Sequence, residues 1–207
     1  MKNCLKVLFL FSLLVFGAGC ASYQKGFKAA TETTIDEITA SNGFFSSNKT
    51  MVFDADMHLY KHHFNGLLVI KQTTLNNYRI VFTLKVGPKL FDMSIGQKDR
   101  TVHYCMEAMD RKLLLKALEN DFRLLLLNFP QQQVQQYKND SLIRYQLSSP
   151  NNVVVEKRQK GMIKSVRQGR WHKPNTRVAF FQWENEKPEI AEITHGKLKL
   201  SIHLKSL

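Results

Sequence analysis

Several features that mark common classes of enzyme and membrane protein are missing from this sequence. It has no glycine-rich phosphate-binding loop, no nucleophile elbow and no HExxH zinc motif. It also has no apolar run of the ~20 residues that a membrane-spanning helix needs. The longest apolar run, residues 7–16, is half that length. We therefore expect no catalytic residues, no cofactor and no transmembrane helix, which argues against an enzyme.

The short apolar run has the form of a secretory signal. Lys2 and Lys6 precede it, and its length lies within the ~7–15 residues typical of the hydrophobic part of such a leader. The residues that follow, Ala18-Gly19-Cys20, resemble a bacterial lipobox, with Gly17 where that motif usually has leucine. The resemblance implies that Cys20 carries diacylglycerol on its sulfur and an N-linked acyl chain. The alternative is an ordinary signal peptide cut near Ala21.

Lipidation at Cys20 predicts where the protein resides. Two or more acyl chains give stable membrane anchoring, and no Asp follows Cys20 of the kind that resembles an inner-membrane retention signal. We expect the protein to lie on the periplasmic face of an outer membrane.

Few other cysteines are present, because Cys4 leaves with the leader and only Cys105 remains. A lone cysteine cannot form an internal disulfide, and in a predicted strand it is interpreted as a buried structural thiol.

Acidic residues are outnumbered by basic ones, 17 to 30, which gives a formal charge of +13. Two of these charges, Lys2 and Lys6, lie in the leader, which leaves +11 on the mature chain. Such an excess favours association with anionic headgroups, an acidic protein or nucleic acid. A basic surface with no dedicated partner is equally consistent with it.

Alternation of apolar and polar residues is the main structural signal. In residues 51–59 the odd positions are apolar, and in residues 78–86 the even positions are apolar. Turn-forming residues separate these runs, so residues 51–95 are predicted to be consecutive antiparallel strands with one buried face. The same pattern returns from residue 141, and residues 197–204 show it most clearly.

Helices are predicted at two places. Residues 22–40 have a weak helical period, and residues 110–127 form a strong one with Asp110 as its N-cap. The glutamine-rich residues 131–136 are predicted to be a connection. The fold class is α+β: a large curved antiparallel sheet, a half-barrel of about eleven strands, covered by helices on its concave face. The predicted divisions are a leader at 1–19, a lipidated tether at 20–48 and the sheet domain at 49–207.

This pattern resembles the lipoprotein-localisation family of the periplasmic carrier LolA and the outer-membrane receptor LolB, and LolB more closely. The local match is best over residues 78–87 and 90–93. The resemblance implies an outer-membrane lipoprotein that receives acylated lipoproteins from a LolA-like carrier and helps insert them into the membrane. It also implies an insertion loop with Val86 at its tip, flanked by Lys85 and Lys89, which suit anionic headgroups. The alternative is an envelope lipoprotein that binds another lipid or a partner protein.

In this interpretation the acyl chains of client lipoproteins lie in an apolar trough between the sheet and the helix. Each CH₂ group removed from water contributes ~0.8 kcal/mol, so such a trough could shelter an acylated client. Its predicted lining is apolar throughout: Phe53, Met57, Ile80, Phe82, Leu84, Leu114, Leu118 and Phe122. The alternative is that these side chains form the core between sheet and helix.

Three other patterns were weighed as sites. His58, His62 and His63 suggest a metal, but no cysteine or carboxylate motif completes the ligand set, so we expect no metal. Asp54 and Asp56 are interpreted as solvated carboxylates. The basic residues 164–173 could bind nucleic acid, but an export leader argues against that partner.

Overall fold

The computed structural model describes residues 26–30, 32–40, 50–130, 132–147, 152–159, 161–170, 173–184 and 187–207. These described residues contain two α-helices, α1 (Ile35–Ala40) and α2 (Lys112–Leu126), and a 3₁₀ turn at Glu107–Met109. Fourteen strands make up most of the rest: β1 (Lys28–Ala29), β2 (Thr33–Thr34), β3 (Thr50–Leu59), β4 (His62–Thr74), β5 (Asn77–Leu84), β6 (Lys89–Ile95), β7 (Arg100–Cys105), β8 (Gln133–Lys138), β9 (Leu142–Leu147), β10 (Val153–Arg158), β11 (Ile163–Arg170), β12 (Lys173–Glu184), β13 (Lys187–His195) and β14 (Leu200–Ser206).

All fourteen strands belong to one open antiparallel sheet. Its order is β1-β8-β9-β10-β11-β12-β13-β14-β3-β4-β5-β6-β7, and β2 also pairs with β8. Neighbouring strands are mostly neighbours in sequence; the exceptions are the pairing of β1 and β2 with β8 and that of β14 with β3. The last strand, β14, pairs with β3, so that Leu200 faces Leu59 and Leu204 faces Ala55. This pairing joins the two blocks of strands, before and after α2, into a single surface and confirms the predicted large curved sheet.

Alternation along the strands decides which face is buried. On β3, Phe53, Ala55, Met57 and Leu59 are buried, while the residues between them lie on the opposite face. Side chains from nearly every strand meet the buried face of α2 in one hydrophobic core. Burial of each large apolar side chain contributes about 1.5–3 kcal/mol, so this core is the main source of stability.

Helix α2 covers the apolar face of the sheet, as predicted. It begins after Arg111, whose side chain makes no capping hydrogen bond, so the predicted N-cap at Asp110 is wrong. Its end is held by Arg123, which bonds the carbonyl groups of Gly96, Gln97 and Asp99 in the β6–β7 turn. The helix stops where Leu127 adopts a left-handed conformation with φ 51°. Within the described residues no helix is both long enough and apolar enough to cross a membrane.

Two local predictions are wrong for the same reason. For residues 22–40 a helix or a partly flexible tether was predicted, but the described residues from 26 onward contain two short strands before α1, and most of the predicted connection at 131–136 is strand β8. Strands β1 and β2 both pair with β8, and β8 pairs with β9 on its other side. These three strands are short and polar, so backbone pairing, not an alternating apolar pattern, makes them strands. They raise the number of strands from the predicted eleven to fourteen.

Candidate functional site

The turns that carry the candidate site lie at one end of the sheet, which we call the cleft end. Strands β3 and β4 are joined there by Tyr60 and Lys61, and the N–H of Tyr60 donates to the carbonyl of Lys199 in the β13–β14 turn at 2.7 Å. The β5–β6 loop leaves the sheet at the same end, because Leu84 faces Gly66 on β4. Helix α2 also begins at this end.

A cleft of about 750 Å³ opens between these turns and the start of α2. Three segments of the chain form it: the β3–β4 turn, the residues around the N-terminus of α2, and the β13–β14 turn. The lining residues are Leu59, Tyr60, Lys61, His62, Ala108, Arg111, Lys112, Leu113, Leu114, Leu198 and Lys199.

The cleft has an apolar floor and a cationic rim. Leu59 and Leu114 are buried at its floor, whereas Leu113 is 81% exposed. The rim carries four basic side chains, and no Asp or Glu is among the described residues that line the cleft: the basic residues are Lys61, Arg111, Lys112 and Lys199. A ligand that matches this polarity has an apolar chain and an anionic group.

The predicted insertion loop lies at the same end of the sheet. Val86 is 93% exposed, at the tip of residues 85–88. Gly87 follows with φ +130°, a conformation that glycine adopts without strain. The two flanking lysines are held by carboxylates: Nζ of Lys85 lies 3.0 Å from Asp54, and Nζ of Lys89 lies 2.8 Å from Asp92. The loop therefore presents an apolar tip on a base fixed by ion pairs.

Asp92 is the main anchor of the β5–β6 hairpin. Its carboxylate is buried and accepts bonds from Nε and Nη2 of Arg79, at 2.9 and 3.0 Å, as well as from Lys89. The hydrogen bond from Arg79 is the largest influence on its pKa, and together with Lys89 it outweighs the opposing effect of burial. The pKa of Asp92 falls from 3.8 to about 2. The carboxylate stays charged at neutral pH and holds both strands.

The residues predicted to line a trough are instead packed together between the sheet and α2. Seven of the eight are buried, and Leu84 is partly buried. The rings of Phe82 and Phe122 both contact that of Phe91, with centroids 5.8 and 5.9 Å apart. Leu114 alone among the eight lines the cleft. The alternation identified the apolar face correctly, but not which part of it is accessible.

The cleft residues that the sequence did not identify come mostly from turns. Tyr60 lies in the β3–β4 turn, where no period predicts its direction. The alternation of residues 197–204 placed Leu198 on the apolar face, but the structure puts it in the turn before β14. Leu113 could have been identified from the sequence, because it falls outside the apolar stripe of α2 that Leu114 and Leu118 belong to. An apolar residue on the wrong side of an amphipathic helix indicates a possible binding surface.

A second group of polar side chains lies on the outer face of the sheet, away from α2. Nε2 of His58 and Nε2 of His63 lie 3.0 and 2.7 Å from the same oxygen, Oδ1 of Asp56. Partial burial of Asp56 raises its pKa, but the hydrogen bond and charge of His63 outweigh that effect, so the pKa is lower than the ordinary value. His62 lies on the other face, in the cleft. The expectation that no carboxylate accompanies the histidines overlooked Asp56.

The other predicted sites have simpler outcomes. Cys20 and the leader lie outside the described residues. Cys105 is partly buried, and burial together with the charge of Asp110 raises the pKa of its thiol. In the basic segment 164–173, Nη2 of Arg167 lies 2.7 Å from Glu156, which also binds Arg144 at 2.9 Å. Arg167 is thus part of a buried ion cluster in the sheet, together with Glu156 and Arg144.

Comparison with solved structures finds a similar overall fold in a LolA superfamily protein from Nitrosomonas europaea. The TM-score is 0.53 at 10% sequence identity, and the match covers 84% of this chain and 92% of the other. The likeness shows that the two chains share a LolA-like fold. The LolA-like fold predicted from the sequence is thus confirmed, whereas the closer resemblance to LolB stays a prediction.

Two further structures match less well. A DUF1329 family protein from Desulfovibrio piger has a TM-score of 0.44 at 5% identity, covering 84% of this chain and 89% of the other. A proposed outer-membrane lipoprotein-sorting protein domain from Vibrio parahaemolyticus has a TM-score of 0.42 at 8% identity, covering 83% and 87%. Comparison of the sequence with protein-family models gives no match, and comparison with curated proteins gives none.

Proposed function

We propose that this protein is a lipid-anchored outer-membrane lipoprotein, similar to LolB, that receives the acyl chains of client lipoproteins in the cleft beside α2 and helps insert them into the membrane. The observation that carries the proposal is an apolar cleft with a cationic rim at the end of a LolA-like sheet where Val86 is also exposed. The clients arrive from a LolA-like periplasmic carrier. Transfer by graded affinity needs no bond to be made or broken, so the proposed role is not enzymatic.

The energy available in the cleft is sufficient for such a role. Each CH₂ group removed from water contributes ~0.8 kcal/mol. Sheltering ten such groups supplies ~8 kcal/mol, which corresponds to a micromolar dissociation constant before the costs of ordering the ligand. Affinity of this size is strong enough to hold an acyl chain in water and weak enough to release it to a bilayer.

The way α2 is held favours entry of an acyl chain at the cleft. Arg123, near the end of the helix, bonds three carbonyl groups of the β6–β7 turn, and Glu119 accepts a bond from Arg100 on β7 at 3.0 Å. The first turn of α2, which carries Leu113 and Leu114, begins without a side-chain cap. Opening of this turn would extend the cleft toward the core below and leave the anchored end in place.

The cleft end also suits contact with a membrane. Basic side chains near an anionic bilayer each contribute about 1 kcal/mol, and four of them line the rim. The exposed apolar tip at Val86 lies at the same end of the sheet. The anchor proposed at Cys20 would hold the protein at the bilayer, where a released acyl chain can enter directly.

Ligand binding can be tested with two exposed leucines that are matched in size and exposure. Leu113 in the cleft and Leu75 at the opposite end of the sheet are each 81% exposed. Binding of a fluorescent fatty acid to the purified full chain should weaken about tenfold or more in Leu113→Glu, because a carboxylate repels the acid head and opposes apolar burial. The variant Leu75→Glu should bind as the wild type does. Equal binding by both variants would contradict the proposed cleft.

The insertion step needs a separate experiment. After depletion of the protein, membrane fractionation should show other lipoproteins failing to reach the outer membrane, and Val86→Glu should not rescue that defect although Leu75→Glu does. If lipoproteins still arrive after depletion, the insertion role is wrong. Fatty-acid binding at the cleft would then support the alternative, an envelope lipoprotein that carries another lipid.

A further inference from the structure

The outer face of the β3–β4 hairpin brings two histidines and a carboxylate to one point. His58 on β3 is directly opposite His63 on β4, and Asp56 is opposite Asn65, one step along the same face. The two imidazole rings stack with centroids 4.4 Å apart and planes 9° apart. Both rings turn Nε2 toward Oδ1 of Asp56.

We propose that Asp56, His58 and His63 form a binding site for a divalent transition metal, with Zn²⁺ as the best match to the ligands. Their nearest ligand atoms all lie within 4.8 Å of one another. In a tetrahedral zinc site with bonds of about 2.0–2.1 Å, neighbouring ligand atoms are separated by about 3.3 Å. The 2.7 and 3.0 Å separations between the imidazole nitrogens and the carboxylate oxygen are close to that value. Because the two rings are stacked, both imidazoles would also have to turn about their side-chain torsions for their Nε2 lone pairs to meet at one ion.

The chemistry of the three ligands favours this metal class over alkaline-earth ions. Ca²⁺ and Mg²⁺ prefer shells made only of oxygen atoms, whereas imidazole nitrogen suits Zn²⁺, Cu²⁺ and Ni²⁺. Two neutral imidazoles with one carboxylate leave a fourth position for water, as in open zinc sites. The side chain of Asn65 also lies within 3.5 Å of Oδ2 of Asp56 and would orient that ligand.

The surroundings favour a cation although the whole chain is strongly basic. A shallow cleft of about 410 Å³ lies beside Asp56 and His58, and Glu192, Ser201 and His203 complete its polar wall. No Lys or Arg is among the described residues that line this cleft. The nearest ion pair on the same strand, between Asp54 and Lys85, leaves Asp56 to the histidines. An incoming cation at this cleft therefore meets carboxylates and imidazoles, and the neighbouring ammonium group of Lys85 is already paired with Asp54.

The hairpin fixes the backbone positions of the three ligands before a metal binds. The ligands come from adjacent strands that are fully paired from Thr50 opposite Lys71 to Leu59 opposite His62. Ligands held on paired strands lose little freedom when the metal binds, and their bonds would link β3 to β4. Binding should therefore raise the thermal stability of the protein.

The experiment measures Zn²⁺ binding by calorimetry on the full chain, purified in detergent without a histidine tag. Wild type should bind one Zn²⁺ at this site, and Asp56→Asn, His58→Ala and His63→Ala should each weaken the affinity at least tenfold. Loss of a supporting contact outside the ligand set already costs about 10–100-fold, and loss of a direct ligand should cost no less. The melting temperature should rise with Zn²⁺ in wild type and remain unchanged in Asp56→Asn.

The matched control is His103→Ala. His103 is also an exposed histidine on a strand, with Nε2 2.7 Å from the hydroxyl of Ser94. This variant should bind Zn²⁺ as the wild type does. X-ray absorption of the zinc complex should show nitrogen and oxygen neighbours at about 2.0–2.1 Å with two imidazoles. A sulfur neighbour, equal loss in His103→Ala, or unchanged affinity in the three ligand variants would overturn the proposal.

Discussion

Replacement of Asp92 by asparagine offers a quantitative test of how the β5–β6 hairpin is held. The variant keeps the shape of the side chain but removes its charge, while Arg79 and Lys89 remain in place. Asp92 is only 2% exposed, so its carboxylate relies on these two partners instead of water. The ion cluster fixes the base of the loop that carries Val86.

The expected loss of stability follows from the pKa of the carboxyl group. A fall from 3.8 to about 2 in the folded protein corresponds to about 2 kcal/mol, at about 1.4 kcal/mol for each pKa unit. Arg79 and Lys89 are themselves about half exposed, and water screens part of the attraction. We therefore expect Asp92→Asn to lower the free energy of unfolding by about 1–2 kcal/mol at pH 7.

The stability that the Asp92 ion cluster contributes depends on pH, and the sign of this dependence follows from the direction of the pKa shift. Because folding lowers the pKa of Asp92, the ion cluster contributes its full stability above about pH 4. That contribution is lost as the pH falls from about 4 to about 2, where the carboxyl group becomes protonated in the folded protein too. The difference between wild type and Asp92→Asn should shrink over this interval, since all other groups titrate in both proteins.

Urea unfolding followed by circular dichroism at several pH values from 7 to 2.5 measures this difference. Urea is uncharged and does not screen the ion pairs as guanidinium chloride would. Asp54→Asn is the control, because the exposed pair of Asp54 with Lys85 should contribute at most about 1 kcal/mol. Equal stability of wild type and Asp92→Asn at pH 7 would refute the reasoning. A difference that persists unchanged at pH 2.5 would show that packing, not charge, is responsible.

Three further predictions concern stability and can be measured by the same unfolding experiment. Glu156→Ala should cost about 3–5 kcal/mol, because it leaves two arginines of a buried ion cluster without their anion; a loss below 1 kcal/mol would contradict this. Gly66→Ala should cost about 1–3 kcal/mol, since a Cβ there would collide with the backbone oxygen of Thr83; an unchanged midpoint would show that the strands shift freely. Phe122→Ala should cost about 3–5 kcal/mol if Phe122 is core, and much less if it lines an open trough.

The sequence predicted the strands whose two faces differ. On β3, β5 and β14 every second residue is apolar, and the structure buries those residues against α2. It could not predict β1, β2 and β8 in the same way. Their hydrogen bonds to one another stabilise them, and such pairing between distant segments leaves no local pattern in the amino-acid order.

The candidate site was predicted only in part, for a related reason. An exposed apolar residue at Val86 was implied by the resemblance to LolB, and the structure places Val86 at the exposed tip of the β5–β6 loop. The predicted trough was less successful, because an apolar face looks the same in sequence whether it lines a cavity or a core. The packing of α2 decides that most of this face is filled and that the accessible part lies at the first turn of the helix.

By itself the sequence determined the alternating strands, the covering helix and the basic charge, because each of these follows from the order of neighbouring residues; the lipobox-like leader stays a prediction. Only the tertiary structure decided what the turns and strand registers bring together. Pairing of β14 with β3 places Lys199 beside Tyr60 at the cleft, and pairing of β3 with β4 places His63 opposite His58 and next to Asp56. Such contacts depend on register, and a shift of one residue would send these side chains to the other face of the sheet.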